Sequence, residues 1–167
     1  YFIMRLFNTY CDSQDKFSFI EKIINAKKEK TRLTLINEGL SLRDFIHLDD
    51  IGKIYTIFLN KKLNKGIYDI GSGKGFLIKD LVNVAKIPKN KLIKKNKIEE
   101  IKDSIADIEK LLLQIGDFNF KDLNNYIKNK LKLKNNFKSQ TYSPIKKNNL
   151  SPSGVVIYGA GYAGKQI

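Results

Sequence analysis

Apolar residues recur along the chain with two different periods. The helical period is seen where Phe17, Ile20, Ile23 and Ile24 fall three or four positions apart, so a helix is predicted over about residues 17–27. A further helix is expected to begin at Asp49 or Asp50, either of which can act as its N-cap. The same spacing predicts helices over 77–85, over 105–115 with Gly116 at its end, and over 123–131.

Short apolar runs between these helices predict strands. They are Tyr1–Phe7, Leu33–Ile36, Arg43–His47 and Gly66–Ile70. The lysine-rich stretch 89–97 is predicted to be an exposed loop. Alternating strands and helices indicate an α/β body over residues 1–131. Residues 132–152 are rich in Lys, Asn, Ser and Pro, which predicts a linker, and 153–167 form a separate apolar and glycine-rich segment.

Charge and cysteine usage restrict the classes of function. The formal net charge is +14, which allows a nucleic-acid or anionic-surface binder. However, 28 of the 31 basic residues are Lys, and surfaces that read bases or clamp phosphates usually use Arg. A compositional bias therefore explains the charge more simply, and no specific nucleic acid is expected. The single cysteine, Cys11, favours a reducing, cytoplasmic setting. The sequence contains no run of eighteen apolar residues, so no membrane span is predicted.

The last segment contains a glycine pattern typical of dinucleotide binding. Val155–Tyr158 predict a strand, and Gly159, Gly161 and Gly164 follow it as G-x-G-x-x-G. These glycines permit a tight turn, backbone approach to a pyrophosphate and close helix packing. They are candidate cofactor-binding residues at the start of a second, truncated Rossmann-like domain. The alternative is a glycine-rich tail without a binding role.

Other candidate motifs have simpler structural explanations. Gly71-Ser72-Gly73-Lys74-Gly75 suggests a phosphate loop, but it lacks the G-x-x-x-x-G-K-[ST] pattern, so a structural turn is predicted. His47 is the only histidine and has no nucleophile at an obvious spacing. A packed or hydrogen-bonded role is predicted for it. Helix capping accounts for Asp49 and Asp50 without a metal, so no metal site and no catalytic residue are assigned.

Three segments in order carry a family resemblance. They are Arg5-Leu6-Phe7-Asn8-Thr9-Tyr10, Arg43-Asp44-Phe45-Ile46-His47-Leu48-Asp49-Asp50 and Gly66-Ile67-Tyr68-Asp69-Ile70-Gly71-Ser72-Gly73. Together they resemble the C-terminal part of the NAD-dependent epimerase/dehydratase family, the extended short-chain dehydrogenases that modify nucleotide sugars. The segment Asp103–Gly116 is similar to a late segment of that family. The resemblance covers residues 1–131.

The resemblance implies a fold and an activity for an intact parent protein. The fold is the C-terminal, substrate-binding part of a Rossmann-type α/β enzyme. The parent would use NAD(P) to epimerise or dehydrate a nucleotide-diphosphate sugar, and it would be a homodimer. The family's first Rossmann half and its Tyr-x-x-x-Lys pair would lie before residue 1, so the fragment alone is expected to be inactive. The tail resembles the first strand of a second domain in polysaccharide-biosynthesis dehydratases.

The resemblance also assigns substrate-binding residues. Asn8 matches an asparagine near the substrate diphosphate, and Arg43 matches an arginine that pairs with it. Lys97 and Glu100 match the positions of a basic residue and of a carboxylate that binds ribose hydroxyls. The chain departs from the family around residues 97–100, and at Cys11-Asp12, where the family has Gly-Pro. Tyr126 and Lys130 have the Tyr-x-x-x-Lys spacing by coincidence on a basic helix.

Two other functions remain open at this stage. The first is a non-catalytic module that binds a nucleotide sugar on the same scaffold. The second is a basic nucleic-acid-binding protein, which would bind any polyanion with strong salt dependence. Selectivity for a nucleotide diphosphate would distinguish the enzyme-like site from the second alternative.

Overall fold

The fold is seen in a computed structural model that describes residues 2–12, 18–29, 31–96, 99–133 and 141–143. Its strands are β1 (Phe2–Leu6), β2 (Asn8–Tyr10), β3 (Leu33–Ile36), β4 (Leu42–His47), β5 (Gly66–Ile70), β6 (Gly75–Leu77), β7 (Leu92–Lys95), β8 (Asp103–Ser104) and β9 (Thr141–Tyr142). Its helices are α1 (Phe19–Lys28), α2 (Leu48–Asn60), α3 (Ile78–Val84), α4 (Glu109–Ile115) and α5 (Leu123–Lys130). This α/β architecture confirms the predicted fold class.

The strands form three small sheets. β1 pairs with β5 in parallel, and β3 pairs with β7 in parallel. The third sheet is mixed: β4 lies between β2 and β6, β9 pairs with the far side of β6, and β8 pairs with β4. β9 lies inside the stretch predicted to be a linker. The predicted tail strand and Gly159, Gly161 and Gly164 lie outside the described residues.

Two apolar clusters hold these sheets and helices together. One joins α1, β3, α3 and α5, and its fully buried members include Ile20, Ile23, Leu81 and Ile127. The other joins α2, β5 and α4 through residues that include Ile54, Tyr68 and Leu111. Each fully buried Leu or Ile side chain stabilises the fold by about 1.5–3 kcal/mol relative to an exposed one. The amphipathic patterns that predicted the helices therefore reflect real buried faces.

Several predicted boundaries are wrong. The stretch 89–97 was predicted to be a loop, but Leu92–Lys95 form strand β7 beside β3. The helix predicted over 105–115 begins only at Glu109. The cap of α2 is neither Asp49 nor Asp50, because His47 Nδ1 accepts the Asp49 N–H at 3.1 Å. Gly116 does end α4, with a positive φ of 81°.

No helix in the described part of the chain is both long enough and apolar enough to cross a membrane.

Candidate functional site

A cavity of about 720 Å³ opens between α1, β3 and β4. Three of the four substrate-binding residues assigned by resemblance, Asn8, Arg43 and Glu100, line this one cavity. Lys97, the fourth, lies outside the described residues. Two further cations, Lys22 and Arg32, also line it and were not singled out from the sequence. The cavity thus brings together residues that are up to 92 positions apart in the chain.

Asn8 reaches the cavity from the first position of β2. The parallel pairing of β2 with β4 places Asn8 opposite Phe45. Its side-chain Nδ2 donates a hydrogen bond of 2.8 Å to the backbone carbonyl of Asp44. This bond fixes the orientation of the amide, whose oxygen can act as an acceptor.

Arg43 projects from β4 toward the segment that follows residue 99. Its Nη1 donates to the carbonyls of Leu42 at 2.8 Å and Lys102 at 3.1 Å. Its Nη2 donates to the Ile101 carbonyl at 2.6 Å and to Glu100 Oε1 at 3.3 Å. The four N–H groups of the two terminal nitrogens therefore all have protein acceptors. Burial lowers the pKa of Arg43, and the charges of Glu100 and Asp103 oppose that shift.

Glu100 contributes a carboxylate with one unused oxygen. Its Oε1 pairs with Arg43, and its side chain is 19% exposed. Its Oε2 is buried and has no hydrogen-bond partner among the described residues. A buried carboxylate oxygen without a partner is costly, so this atom is a strong acceptor for a hydroxyl or N–H group of a ligand.

Asp44 holds the elements around the cavity in place. Its side chain is fully buried, and its Oδ1 accepts from the N–H of Ser72 at 2.9 Å and from the Ser72 hydroxyl at 2.6 Å. Its Oδ2 accepts from the N–H of Gly73 at 2.9 Å and of Ala106 at 3.1 Å. Burial raises the pKa of Asp44, and these hydrogen bonds oppose the shift. One carboxylate therefore ties β4 to both the turn after β5 and the segment that carries Glu100.

The turn Gly71-Ser72-Gly73 thus binds a carboxylate that belongs to the protein itself. Its N–H groups resemble those of a phosphate loop, but at Ser72 and Gly73 they are engaged by Asp44. These hydrogen bonds support the structural turn that was predicted for this motif. Because these N–H groups are occupied, the turn does not fit the pyrophosphate of a dinucleotide.

Lys22 and Arg32 enter the cavity from two different elements. Lys22 lies on α1, three residues after Phe19 and three before Asn25, and all three line the cavity. Arg32 lies directly before β3. A signal for Arg32 was present in the sequence, because it is one of only three arginines in a lysine-dominated chain. For Lys22 no sequence signal separated it from the other lysines.

A second, more polar cleft of about 500 Å³ lies at the C-terminal end of β4, beside α5. His47 lines it, is 7% exposed and stacks edge-on with Tyr10 and Tyr126. Burial, together with the nearby charge of Lys121, lowers the pKa of His47. The packed, hydrogen-bonded role predicted for the only histidine agrees with this environment.

Tyr126 also lines this cleft, but Tyr126 and Lys130 do not form an acid/base pair. The Tyr126 hydroxyl donates to the Cys11 carbonyl at 2.7 Å, and Lys130 Nζ pairs with Asp12 at 2.9 Å. Burial, followed by the charge of Asp12, raises the pKa of Tyr126. A tyrosine that acts as an acid/base at neutral pH needs a lowered pKa, so the geometry speaks against a catalytic role here.

Comparisons with known proteins define the class of this fold. Residues 1–71 match the NAD dependent epimerase/dehydratase family. No curated protein matches the chain significantly by sequence. Among solved structures, dTDP-glucose 4,6-dehydratase from Bacillus anthracis, in complex with NAD, is similar with a TM-score of 0.69 and 17% identity, over 78% of this chain and 43% of that one.

Two epimerases are similar to the same degree. UDP-glucose 4-epimerase from Thermotoga maritima, solved with UDP-glucose, has a TM-score of 0.68 and 19% identity, over 79% of this chain and 45% of that one. UDP-glucuronic acid 4-epimerase from Bacillus cereus, solved with UDP-glucuronic acid and NAD, has a TM-score of 0.68 and 22% identity, over 78% of this chain and 43% of that one. The chain therefore spans less than half the length of these structures.

The fold is an α/β Rossmann-like fold similar to that of these dehydratases and epimerases. Within that class, residues 1–71 carry the sequence pattern of the NAD-dependent epimerase/dehydratase family. The family comparison confirms the resemblance over residues 1–71, and the solved structures confirm the fold class.

Proposed function

We propose that this chain is the nucleotide-sugar-binding part of an NAD-dependent epimerase or dehydratase. The observation that carries the proposal is Glu100, whose Oε2 is a buried, unpartnered acceptor beside Arg43 in a cavity large enough for a nucleotide. A nucleotide-diphosphate sugar carries hydroxyl groups that a carboxylate binds and phosphates that cations bind. The cavity offers both kinds of partner.

The site residues have separate roles in this proposal. The free oxygen of Glu100 accepts hydroxyl groups of the ligand, and Asn8, at the first position of β2, offers its amide oxygen as a further acceptor. Arg43 holds the Glu100 carboxylate in place through their ion pair of 3.3 Å. Lys97, three residues before Glu100 in the sequence, is a candidate cation for the phosphates.

The activity of the whole protein is part of the same proposal. NAD, when bound, would accept a hydride from the sugar and return it, which supports both epimerisation and dehydration. The described residues offer no place for its pyrophosphate at Gly71–Gly73, because Asp44 occupies that turn. As a separate part of the proposal, we expect the chain alone to bind a nucleotide sugar without converting it. In the intact protein a homodimer and a cytoplasmic location are expected.

Isothermal titration with UDP-glucose and dTDP-glucose tests the proposal. The substitution Glu100→Gln should weaken binding about tenfold, since a hydrogen bond to a charged group contributes roughly 1.5–3 kcal/mol. Glu99→Gln is the matched control, because Glu99 is the exposed neighbouring carboxylate and does not line the cavity. If neither nucleotide sugar binds, or if both substitutions weaken binding equally, the proposal is wrong.

Binding of a generic polyanion separates this function from the nucleic-acid alternative. Heparin should bind only non-specifically and with strong salt dependence, because the net charge is +14. Glu100→Gln should leave its binding unchanged or slightly stronger because a negative charge is removed. If heparin and single-stranded DNA bind more tightly than every nucleotide sugar, the result favours a nucleic-acid-binding protein and contradicts the proposal.

A further inference from the structure

The second cleft contains a hydrogen-bond donor that the protein itself does not use. His47 Nδ1 accepts the Asp49 N–H at 3.1 Å, so the neutral imidazole carries its proton on Nε2. No residue among those that the structure describes accepts a hydrogen bond from this Nε2–H group. His47 is only 7% exposed, and it lines the cleft. A polar group this deeply buried costs free energy unless a ligand or a water molecule meets it.

Helix α5 adds unpaired amide groups to the same cleft. Asn125 and Asn129 are four residues apart, so they lie on one face of the helix, and both line the cleft. Neither side-chain amide has a partner in the described part of the chain. Each amide offers an acceptor oxygen and two donor hydrogens. This face of α5 therefore suits ligand groups that both donate and accept hydrogen bonds, as hydroxyl groups do.

The charges of the second cleft disfavour an anionic ligand. Three aspartates, Asp12, Asp49 and Asp122, line it with a single lysine, Lys121, although the whole chain carries a net charge of +14. Asp49 pairs with Lys121, and Asp12 pairs with Lys130 at 2.9 Å. A phosphate would be repelled by these carboxylates, whereas a hydroxyl group can donate to them.

The rest of the lining is less polar. It consists of Leu48, Cys11 and the half-buried ring of Tyr126, which is held in place by the hydrogen bond of its hydroxyl to the Cys11 carbonyl. Such a surface suits the C–H groups of a sugar ring. The volume of about 500 Å³ lies within the usual range of small-molecule sites.

We propose that the second cleft binds a neutral saccharide, whose hydroxyl groups are held by the Nε2–H of His47 and by the side-chain amides of Asn125 and Asn129. No described residue lines both this cleft and the cavity between α1, β3 and β4. The inference therefore adds a second binding site and does not depend on the proposed function.

Titration of the isotope-labelled 167-residue chain with glucose, galactose and maltose, followed by NMR, tests the proposal. The titration is made at about pH 7.5, above the ordinary pKa of histidine, so that the imidazole is neutral. The imidazole signals need no assignment, because His47 is the only histidine. A sugar should shift the Nε2 signal and the amide signals of Asn125 and Asn129 until they saturate. The signal of Thr34, in the other cavity, should stay unchanged.

Substitutions on α5 test whether the sugar is bound by the named groups. Asn125→Ala and Asn129→Ala should each weaken the affinity about two- to tenfold, because each removes neutral hydrogen bonds. Asn83→Ala is the matched control, since Asn83 is an exposed asparagine on helix α3 that lines neither cavity. All three variants should bind UDP-glucose as tightly as the unchanged chain. Glucuronic acid should bind more weakly than glucose, because its carboxylate meets the aspartates.

The inference is overturned if none of the three sugars shifts the His47 signal, since water alone would then meet the Nε2–H group. It is also overturned if Asn125→Ala and Asn129→Ala bind sugar as Asn83→Ala does, or if glucuronic acid binds more tightly than glucose. Displacement of the sugar by UDP would likewise overturn it, because the sugar would then lie in the other cavity. None of these results removes the proposed function, which fails only if neither UDP-glucose nor dTDP-glucose binds to the unchanged chain.

Discussion

The Asp44 carboxylate and the Ser72 hydroxyl are joined by a hydrogen bond of 2.6 Å in the interior of the protein. The same carboxylate also accepts three backbone N–H groups, from Ser72, Gly73 and Ala106. Side chains this deeply buried are ionised only at a cost, and the four donors offset that cost.

Replacement of Asp44 should therefore be among the most destabilising changes in this chain. Asp44→Asn places an N–H₂ group against backbone N–H donors and should lower the free energy of unfolding by about 3 kcal/mol. Ser72→Ala removes one donor and leaves the other three, so a loss of about 1 kcal/mol is expected. Urea denaturation of both variants measures these values, and equal losses would contradict the central role of Asp44.

Gly71 and Gly52 provide a pair of glycines with opposite expectations. A Cβ at Gly71 would lie 2.5 Å from Ala106 Cβ and 2.6 Å from Asp44 Oδ2, so Gly71→Ala should cost about 1–3 kcal/mol. A Cβ at Gly52 meets nothing within 4 Å, and Gly52 lies inside α2. Gly52→Ala should stabilise the protein by about 0.5–1 kcal/mol through helix propensity. Thermal unfolding of the two variants should shift in opposite directions.

The pKa of His47 should be measurable without assignment, because it is the only histidine. Burial and then the charge of Lys121 lower this pKa, while Asp49 raises it. An NMR titration should therefore give a pKa below about 6.5, the ordinary value. Lys121→Ala should raise the pKa and Asp49→Asn should lower it further. Shifts of the two variants in the same direction would refute this electrostatic account.

The same histidine makes stability depend on pH in a defined direction. The unfolded chain binds a proton near pH 6.5, and the folded chain binds it only at lower pH. Stability should therefore fall as the pH decreases from about 6.5 through the pKa of the folded protein. His47→Asn keeps a polar side chain at the helix start and should flatten this part of the pH profile, as followed by thermal unfolding.

The start of α1 offers a prediction about the wall of the cavity. Ser18 Oγ accepts the Glu21 N–H at 3.2 Å and caps this helix. Ser18→Ala should lower stability by about 1 kcal/mol, and Ser18→Asp should retain it, because Asp is an equally good N-cap. Circular dichroism during denaturation distinguishes the two, and a similar loss in both variants would rule out capping as the cause.

The parts of the fold that were predictable depend on local signals. Leu33–Ile36 and Gly66–Ile70 are strands as predicted, because their apolar runs are bounded by turn residues. β7 was missed because its pairing partner β3 lies 59 residues earlier, as in Leu33 with Leu92. In addition, its two apolar residues lie within a lysine-rich stretch that is typical of a loop. Parallel pairing over such distances leaves no local pattern.

The helix predicted over 105–115 starts too early, because Ile105 and Ile108 are buried against glycines and not on a helix face. Ile105 and Ile108 have helical spacing, but they lie in a segment without regular secondary structure that packs against Gly75 and Gly73. Cβ atoms at Gly75 and Gly73 would meet Ile105 Cδ1 at 2.5 Å and Ile108 Cδ1 at 2.7 Å. Apolar spacing of three residues cannot distinguish burial on a helix face from burial against a distant turn.

The sequence predicted three residues that line the cavity, but not their hydrogen bonds. The resemblance selected Asn8, Arg43 and Glu100, and these residues line one cavity. It could not reveal that the donors of Arg43 are used by carbonyls about 58 residues away, as at Ile101. Which cations are left free depends on the tertiary contacts of each one.

The hydrogen bonds of Asp44 have a kinetic consequence. They close chain loops of 28 residues to Ser72, 29 to Gly73 and 62 to Ala106. Closing such loops costs conformational entropy before any of the bonds can form, which slows folding relative to a chain with local contacts. During synthesis the cavity cannot be completed until Ala106 has left the ribosome. Until then, the elements that carry Asn8 and Arg43 lack part of the cavity wall, and the Asp44 carboxylate lacks its hydrogen bond from the Ala106 N–H.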